Sequence, residues 1–154
     1  MALMSVTLDR VQLPAGLPAC AVVDLGAIRA NVEALVERAG PAAVMAVVKA
    51  DAYGHGLVPA APAALAGGAS WLGVSQLEEG LRLRANGIDA PMLAWLTVPG
   101  DRYDEAVTAN IDLAVSALWA LEEISAAAQR TGVTASIHLK VDTGLARNGV
   151  GLDD

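Results

Sequence analysis

The sequence contains no phenylalanine, one cysteine and two histidines, and aromatic residues make up only 3% of its 154 positions. Each shortage removes a class of explanation. A lone Cys20 cannot close a disulfide within the chain, so the fold must hold without a covalent staple, and this usage fits a reducing cytoplasm. So few aromatics leave no stacking platform for single-stranded nucleic acid. The excess of 17 acidic over 10 basic side chains, a net charge of −7, points away from phosphate backbones as well. His55 and His138 lie far apart and no HExxH spacing occurs, so no metal site is expected. No apolar run reaches the roughly 18 residues of a membrane span. Leu17-Pro18-Ala19-Cys20 superficially resembles a lipoprotein cleavage site, but Asp9 and Arg10 interrupt what would be its apolar region and no basic segment precedes it. These features describe a soluble cytoplasmic protein with neither nucleic acid nor membrane as partner.

What the chain has instead is aliphatic residues. At 55% hydrophobic it can build one domain with a sizeable core. Residues 1–18, with Pro14 and Pro18 and no long periodic pattern, are read as a flexible leader, and residues 19–154 as the folded domain. A short strand is expected over residues 20–25. A helix follows over 26–39, with Ile28, Val32, Leu35 and Val36 on one face, and Gly40-Pro41 ends it. Strands are then expected over residues 44–48, 71–75, 91–96, 113–116 and 135–142. Between them lie helices over 76–86, with Leu77, Leu81 and the Arg84 stem in register, around 103–109, and over 117–130, with Leu118, Leu121, Ile124 and Ala128 on one face. Trp71, Trp95 and Trp119 lie in apolar runs and read as core or rim residues. Regular alternation implies right-handed βαβ units, a parallel sheet and the α/β class. Two architectures fit: an open five-stranded sheet, or the first part of an eight-stranded (β/α)8 barrel of about 250 residues.

The run over residues 44–48 reads as a strand buried on both faces, and it stops at Lys49. In parallel α/β folds that end of the strand binds ligands. A lysine held there against apolar walls has its charged form disfavoured, so its amine can attack an aldehyde near neutral pH. The plain alternative is a solvated lysine just past a strand end. The segment Val47-Val48-Lys49-Ala50-Asp51-Ala52-Tyr53-Gly54-His55-Gly56 resembles the signature of alanine racemases, barrel-type enzymes dependent on pyridoxal phosphate. That resemblance implies that Lys49 holds the cofactor as a Schiff base, that Tyr53 contacts its phosphate, and that Lys49 later serves as base on one face of the substrate. His55 reads as a residue that orders the loop.

A second stretch alternates, with Ile137, Leu139 and Val141 on one face and His138, Lys140 and Asp142 on the other. A half-exposed antiparallel strand would look identical. Inside a barrel the polar face would point inward, where Lys140 and Asp142 need partners. His138-Leu139-Lys140-Val141-Asp142-Thr143-Gly144-Leu145-Ala146-Arg147-Asn148-Gly149 resembles the second racemase signature. It implies that Arg147 lies beside the cofactor's phenolic oxygen and the substrate carboxylate, which its planar fork can grip by two hydrogen bonds. Lys140 matches a lysine that many members carry carbamylated, turning a cation into an anion that holds the arginine. Ala146 stands where a glycine is common, and Asn148 where an apolar residue is common.

The resemblance covers residues 19–149 and aligns with the leading part of the family. The fold it implies is the N-terminal portion of a TIM-type barrel, about five of eight parallel strands, with the C-terminal strands and an all-β domain lying outside this chain. In the family the leading strand pairs with that β domain, so its edge here would be bare and prone to aggregation. The implied function is the interconversion of L- and D-alanine for peptidoglycan by a homodimer whose second base, a tyrosine, comes from the partner's β domain. A truncated chain would then be weakly active or inactive alone. A non-catalytic pyridoxal phosphate-binding module and a racemase of another amino acid are the alternatives.

Overall fold

In a computed structural model, which describes Gly16 and residues 18–151, each short aliphatic run from residue 44 onward becomes a strand and the longer amphipathic runs become helices. The leader expected over residues 1–18 lies, apart from Gly16 and Pro18, outside the described residues. The elements in chain order are α1 (Leu25–Ala39), β1 (Met45–Val47), α2 (Lys49–Tyr53), α3 (Leu57–Ala66), β2 (Trp71–Val74), α4 (Leu77–Ala85), β3 (Met92–Ala94), α5 (Tyr103–Thr108), β4 (Asp112–Val115), α6 (Leu118–Thr131) and β5 (Ile137–Leu139).

Every strand pairing is parallel, and the sheet order β1-β2-β3-β4-β5 follows the chain. An order that never reverses puts each right-handed crossover on the same face of the sheet. That decides between the two architectures, because an open doubly wound sheet reverses at a switch point and carries helices on both faces. Here α3, α4, α5 and α6 each touch the next in one outer layer, with α1 against α3. The sheet is the leading part of a (β/α)8 barrel.

Period-two alternation sorts the strand side chains between the two faces. Leu72, Val74, Met92, Ala94, Leu113 and Val115 face the helices and are buried together with Leu57, Leu77, Leu83 and Ile124. The other face carries Met45, Val47, Gly73, Leu93, Trp95, Asp112 and Ala114, and no described helix covers it. The run over 44–48 is therefore not buried on both faces: Val48 is enclosed by the helical layer, whereas Val47 is 40% exposed.

Other sequence expectations change for identifiable reasons. No strand forms over residues 20–25, since no described strand lies beside them; Asp24 instead accepts a hydrogen bond from Ala27 N (3.0 Å) and caps α1. On α1 the half-buried residues are Ile28, Val32, Val36 and Ala39, and Leu35 falls outside that stripe. The sequence reading placed no helix over α3, whose alanines and Pro59 and Pro62 give no polar periodicity, yet Leu57, Ala60, Ala61 and Ala64 are buried. On α6 the buried stripe is Ala120, Ile124 and Ala127, while Leu118 is 78% exposed. The small side chains let α6 approach α5 and β4 closely.

Arg84 does more than fill a helical register. Its guanidinium donates to four carbonyls, Ile88 O, Ala90 O, Ala109 O and Asn110 O, joining the turns that lead into β3 and β4. Burial lowers its pKa, and the charges of Asp89 and Asp112 oppose that shift. Replacing Arg84 with Met leaves those carbonyls without their charged donor and should lower the unfolding free energy by about 2 kcal/mol, with Arg84→Lys recovering less than half. Urea denaturation measures both, and a wild-type midpoint for Arg84→Met would contradict this role.

Candidate active site at the carboxyl ends of the strands

The site begins where β1 ends. Val48 N donates to Gly73 O (2.9 Å), carrying the pairing one residue beyond the strand, and Lys49 follows, half-buried. The backbone then does something the sequence does not announce. Ala50, Asp51, Ala52 and Tyr53 have φ of 53°, 54°, 53° and 56°, a full turn in the left-handed region, before Gly54 and Gly56 lead into α3. L-residues resist that region by roughly 1–2 kcal/mol each. Strain of this kind persists only where surrounding contacts enforce it.

Three side chains supply those contacts. Glu79, in the first turn of α4, accepts Ala50 N at 2.6 Å on Oε1, and on Oε2 it accepts Ser75 N (2.9 Å), Ser75 Oγ (3.0 Å) and Gln76 N (3.1 Å). Asp51 Oδ1 accepts from Leu57 N at 2.9 Å, capping α3, and from Arg82 at 3.4 Å. His55 Nδ1 donates to Ala52 O at 2.8 Å, the loop-ordering contact expected of it. The turn brings the Lys49 amine over the Tyr53 ring, 5.4 Å from its centroid, and Tyr53 itself is 61% exposed. Sequence reasoning missed Glu79 and Arg82. The one available signal was a glutamate three residues after Gln76, which marks a helix start and says nothing about Lys49.

The uncovered face of the sheet forms the floor beside this turn. An added Cβ at Gly73 would lie 2.6 Å from the Trp95 ring and 3.0 Å from Met45 Sδ, so only glycine lets the indole lie across β2. Further along, His138 Nε2 donates to Asp112 Oδ2 at 2.8 Å, and the Trp71 ring meets the His138 ring edge-on at 5.9 Å between centroids. His138 pairs in register with Ala114, so the polar side of β5 lies on this uncovered face. The pairing is parallel, which removes the antiparallel alternative. Trp71 and Trp95 are thus rim residues of the uncovered face, and Trp119 packs against the core.

Beyond β5 the loop carrying Arg147 is fastened at its base. Lys140 N donates to Val115 O (2.8 Å), Asp142 N to Val150 O (2.9 Å) and Val150 N to Lys140 O (2.9 Å). Asp142 Oδ1 accepts from Gly144 N (2.8 Å) and Ala146 N (3.1 Å), bonds that hold its carboxyl below the usual carboxylate range, with a further contribution from Lys140. Gly149 passes so close that a Cβ would lie 2.5 Å from Asp142 N. Ala146 has φ of 55°, a conformation that glycine adopts without cost. Arg147 is exposed and unpaired among the described residues. Lys49 and Tyr53 stand after the first strand, Lys140 and Arg147 after the fifth, all at the same end of the sheet but at opposite edges. No hydrogen bond or ion pair among the described residues joins the two groups, and none of the His, Cys, Asp and Glu side chains described there form a metal-binding cluster.

The family model for the N-terminal domain of alanine racemase matches residues 23–154. The chain belongs to that family. It is 59% identical over 145 residues to an alanine racemase of Frankia casuarinae, and 62% identical over 137 residues to one of Beutenbergia cavernae. These alignments cover 93% and 89% of the chain but 38% and 36% of the relatives, so the chain spans little more than a third of their length. Among solved structures, the alanine racemase of a D-cycloserine-producing Streptomyces lavendulae superimposes with a TM-score of 0.85 at 54% identity, over 86% of this chain and 35% of that one. The Corynebacterium glutamicum alanine racemase gives 0.76 at 39% identity, over 85% and 37%. No helix among the described residues is long and apolar enough to cross a membrane.

Burial alone would raise the Glu79 pKa, but the bonds from Gln76, Ala50 and Ser75 outweigh it and hold the carboxyl below its ordinary value of 4.5. A carboxyl whose pKa is lower folded than unfolded adds stability that is fully present above the unfolded value and is lost as pH falls through the folded one. Titration followed by carboxyl carbon resonances should therefore place Glu79 below an ordinary glutamate, with the chain losing stability on acidification below that range. A Glu79 midpoint above the ordinary value would contradict the bonding described.

Proposed function

We propose that this chain is the lysine-bearing part of an alanine racemase, a cytoplasmic homodimer as a whole protein, which interconverts L- and D-alanine and supplies D-alanine for peptidoglycan. The observation that carries the reading is the Lys49 amine: it stands at the carboxyl end of β1, has no carboxylate partner among the described residues, and is held against Tyr53 by a left-handed turn. No carboxylate competes with an aldehyde for this amine. The donor set fits pyridoxal phosphate, with an amine for the aldehyde, a phenol for the phosphate and a guanidinium for a carboxylate or phenolate.

When bound, the cofactor supplies the electron sink that accepts the charge left on the substrate Cα. The chain's own residues supply the rest. Lys49 is the residue that would hold the cofactor through its aldehyde, and its amine would remove or return the substrate Cα proton on its own face. The Tyr53 hydroxyl would hold the phosphate as a hydrogen-bond donor. Arg147 grips the substrate carboxylate with its planar fork. Lys140, two residues before Asp142 and on the same side of β5, is the position where a carbamate would supply the anion that holds Arg147. Removal of the proton on one face and its return on the other need two bases, and these residues provide one.

The test is to incubate the purified chain with pyridoxal phosphate, reduce with borohydride and locate the added mass by peptide mapping, with Lys49→Ala as control. Label confined to Lys49, and lost in the variant, is the expected result. Label spread over surface lysines, or none, would overturn the reading.

A further inference from the structure

The Glu79 carboxylate serves two different parts of the molecule with its two oxygens. Oε2 accepts from Ser75 N, Ser75 Oγ and Gln76 N, all at the start of its own helix. Oε1 accepts from Ala50 N, a partner 29 residues away in sequence. Ala50 directly follows Lys49 and is the first residue of the left-handed turn. Glu79 is also the better anchored end of this bond: α4 is fixed by the buried Leu77, Gly80 and Leu83, and its first turn favours a negative charge.

We infer that Glu79 is a positioning residue, which through the Ala50 amide fixes the direction in which the Lys49 side chain leaves β1. The inference rests on the proposed role of Lys49. Every atom that meets the carboxylate is a donor, so both of its oxygens are needed as acceptors. Glutamine offers one. Its single oxygen would stay with the three donors at the helix start and its amide nitrogen would face Ala50 N–H, which it cannot accept. Glu79→Gln therefore cuts the tie to Lys49 and spares most of the cap, while Ser75→Ala weakens the cap and spares the tie.

Two readouts separate positioning from capping. Amide exchange at Ala50, with no ligand present, should be about tenfold faster in Glu79→Gln than in the wild-type chain, and the rate of borohydride-trapped pyridoxal phosphate labelling at Lys49 should fall by about tenfold or more. Ser75→Ala should change neither, though it lowers the melting temperature to a similar extent. Unchanged Ala50 exchange in Glu79→Gln would overturn the inference, as would wild-type labelling of Lys49 in that variant, or a Ser75→Ala chain that behaves like Glu79→Gln in both readouts. If the wild-type chain takes no label at Lys49 while Ala50 exchange still depends on Glu79, the assigned role of Lys49 falls and the anchoring of its turn by Glu79 stands.

Discussion

Ala50, Asp51, Ala52 and Tyr53 all hold φ between 53° and 56°, and for L-residues four such positions together cost about 4–8 kcal/mol. Two of the contacts that enforce the turn, from Ala50 N to Glu79 and from Leu57 N to Asp51, end on ionised acceptors and contribute about 1.5–3 kcal/mol each. The His55 bond to Ala52 O adds about 1 kcal/mol, so strain and restraint are of the same size. The turn is therefore a conformation imposed by α3 and α4. Its product is geometric: Lys49 and Tyr53, four positions apart, end with amine and ring in contact.

The sheet supplies the platform on which this matters. Because the strand order follows the chain, the helices lie on one side and no described helix covers the other, with Trp95 laid across Gly73 and the His138–Asp112 pair beside Trp71. Lys49 is placed after the first strand and Arg147 after the fifth, so curvature of the sheet, and not any direct bond, governs the distance between them. Each is secured locally, the first by Glu79 and Asp51, the second by Asp142 and the backbone bonds of Lys140 and Val150. Under the proposed function, a substrate held between an amine and a guanidinium on opposite edges would sense the shape of the whole sheet.

Much of the fold could be read from the chain because Val, Ile and Leu runs alternate with amphipathic ones, and the five strands after residue 44 fall where those runs fall. What could not be read depends on pairs of elements. The stripe buried on α6 is set by how closely its alanines approach α5, so the larger Leu118 misleads. The segment 20–25 has strand composition but no described neighbour to pair with. Lys49, Tyr53, Lys140 and Arg147 stand out in the sequence only through two motifs. Glu79 reads as an ordinary glutamate at a helix start, because its bond to Ala50 arises only when β1 and β2 lie side by side. Nothing in Ala-Asp-Ala-Tyr, a stretch without glycine, signals a left-handed turn.

The measurement closest to the centre of this picture is the backbone conformation of Ala50 to Tyr53 in solution, from intraresidue Hα–HN nuclear Overhauser effects. A left-handed turn, with positive φ throughout, brings each Hα close to its own amide proton, and strong effects are expected at all four residues. Weak intraresidue effects at Ala50, Asp51 and Ala52, as in right-handed or extended backbone, would contradict it and would remove the structural reason for assigning Lys49 its direction.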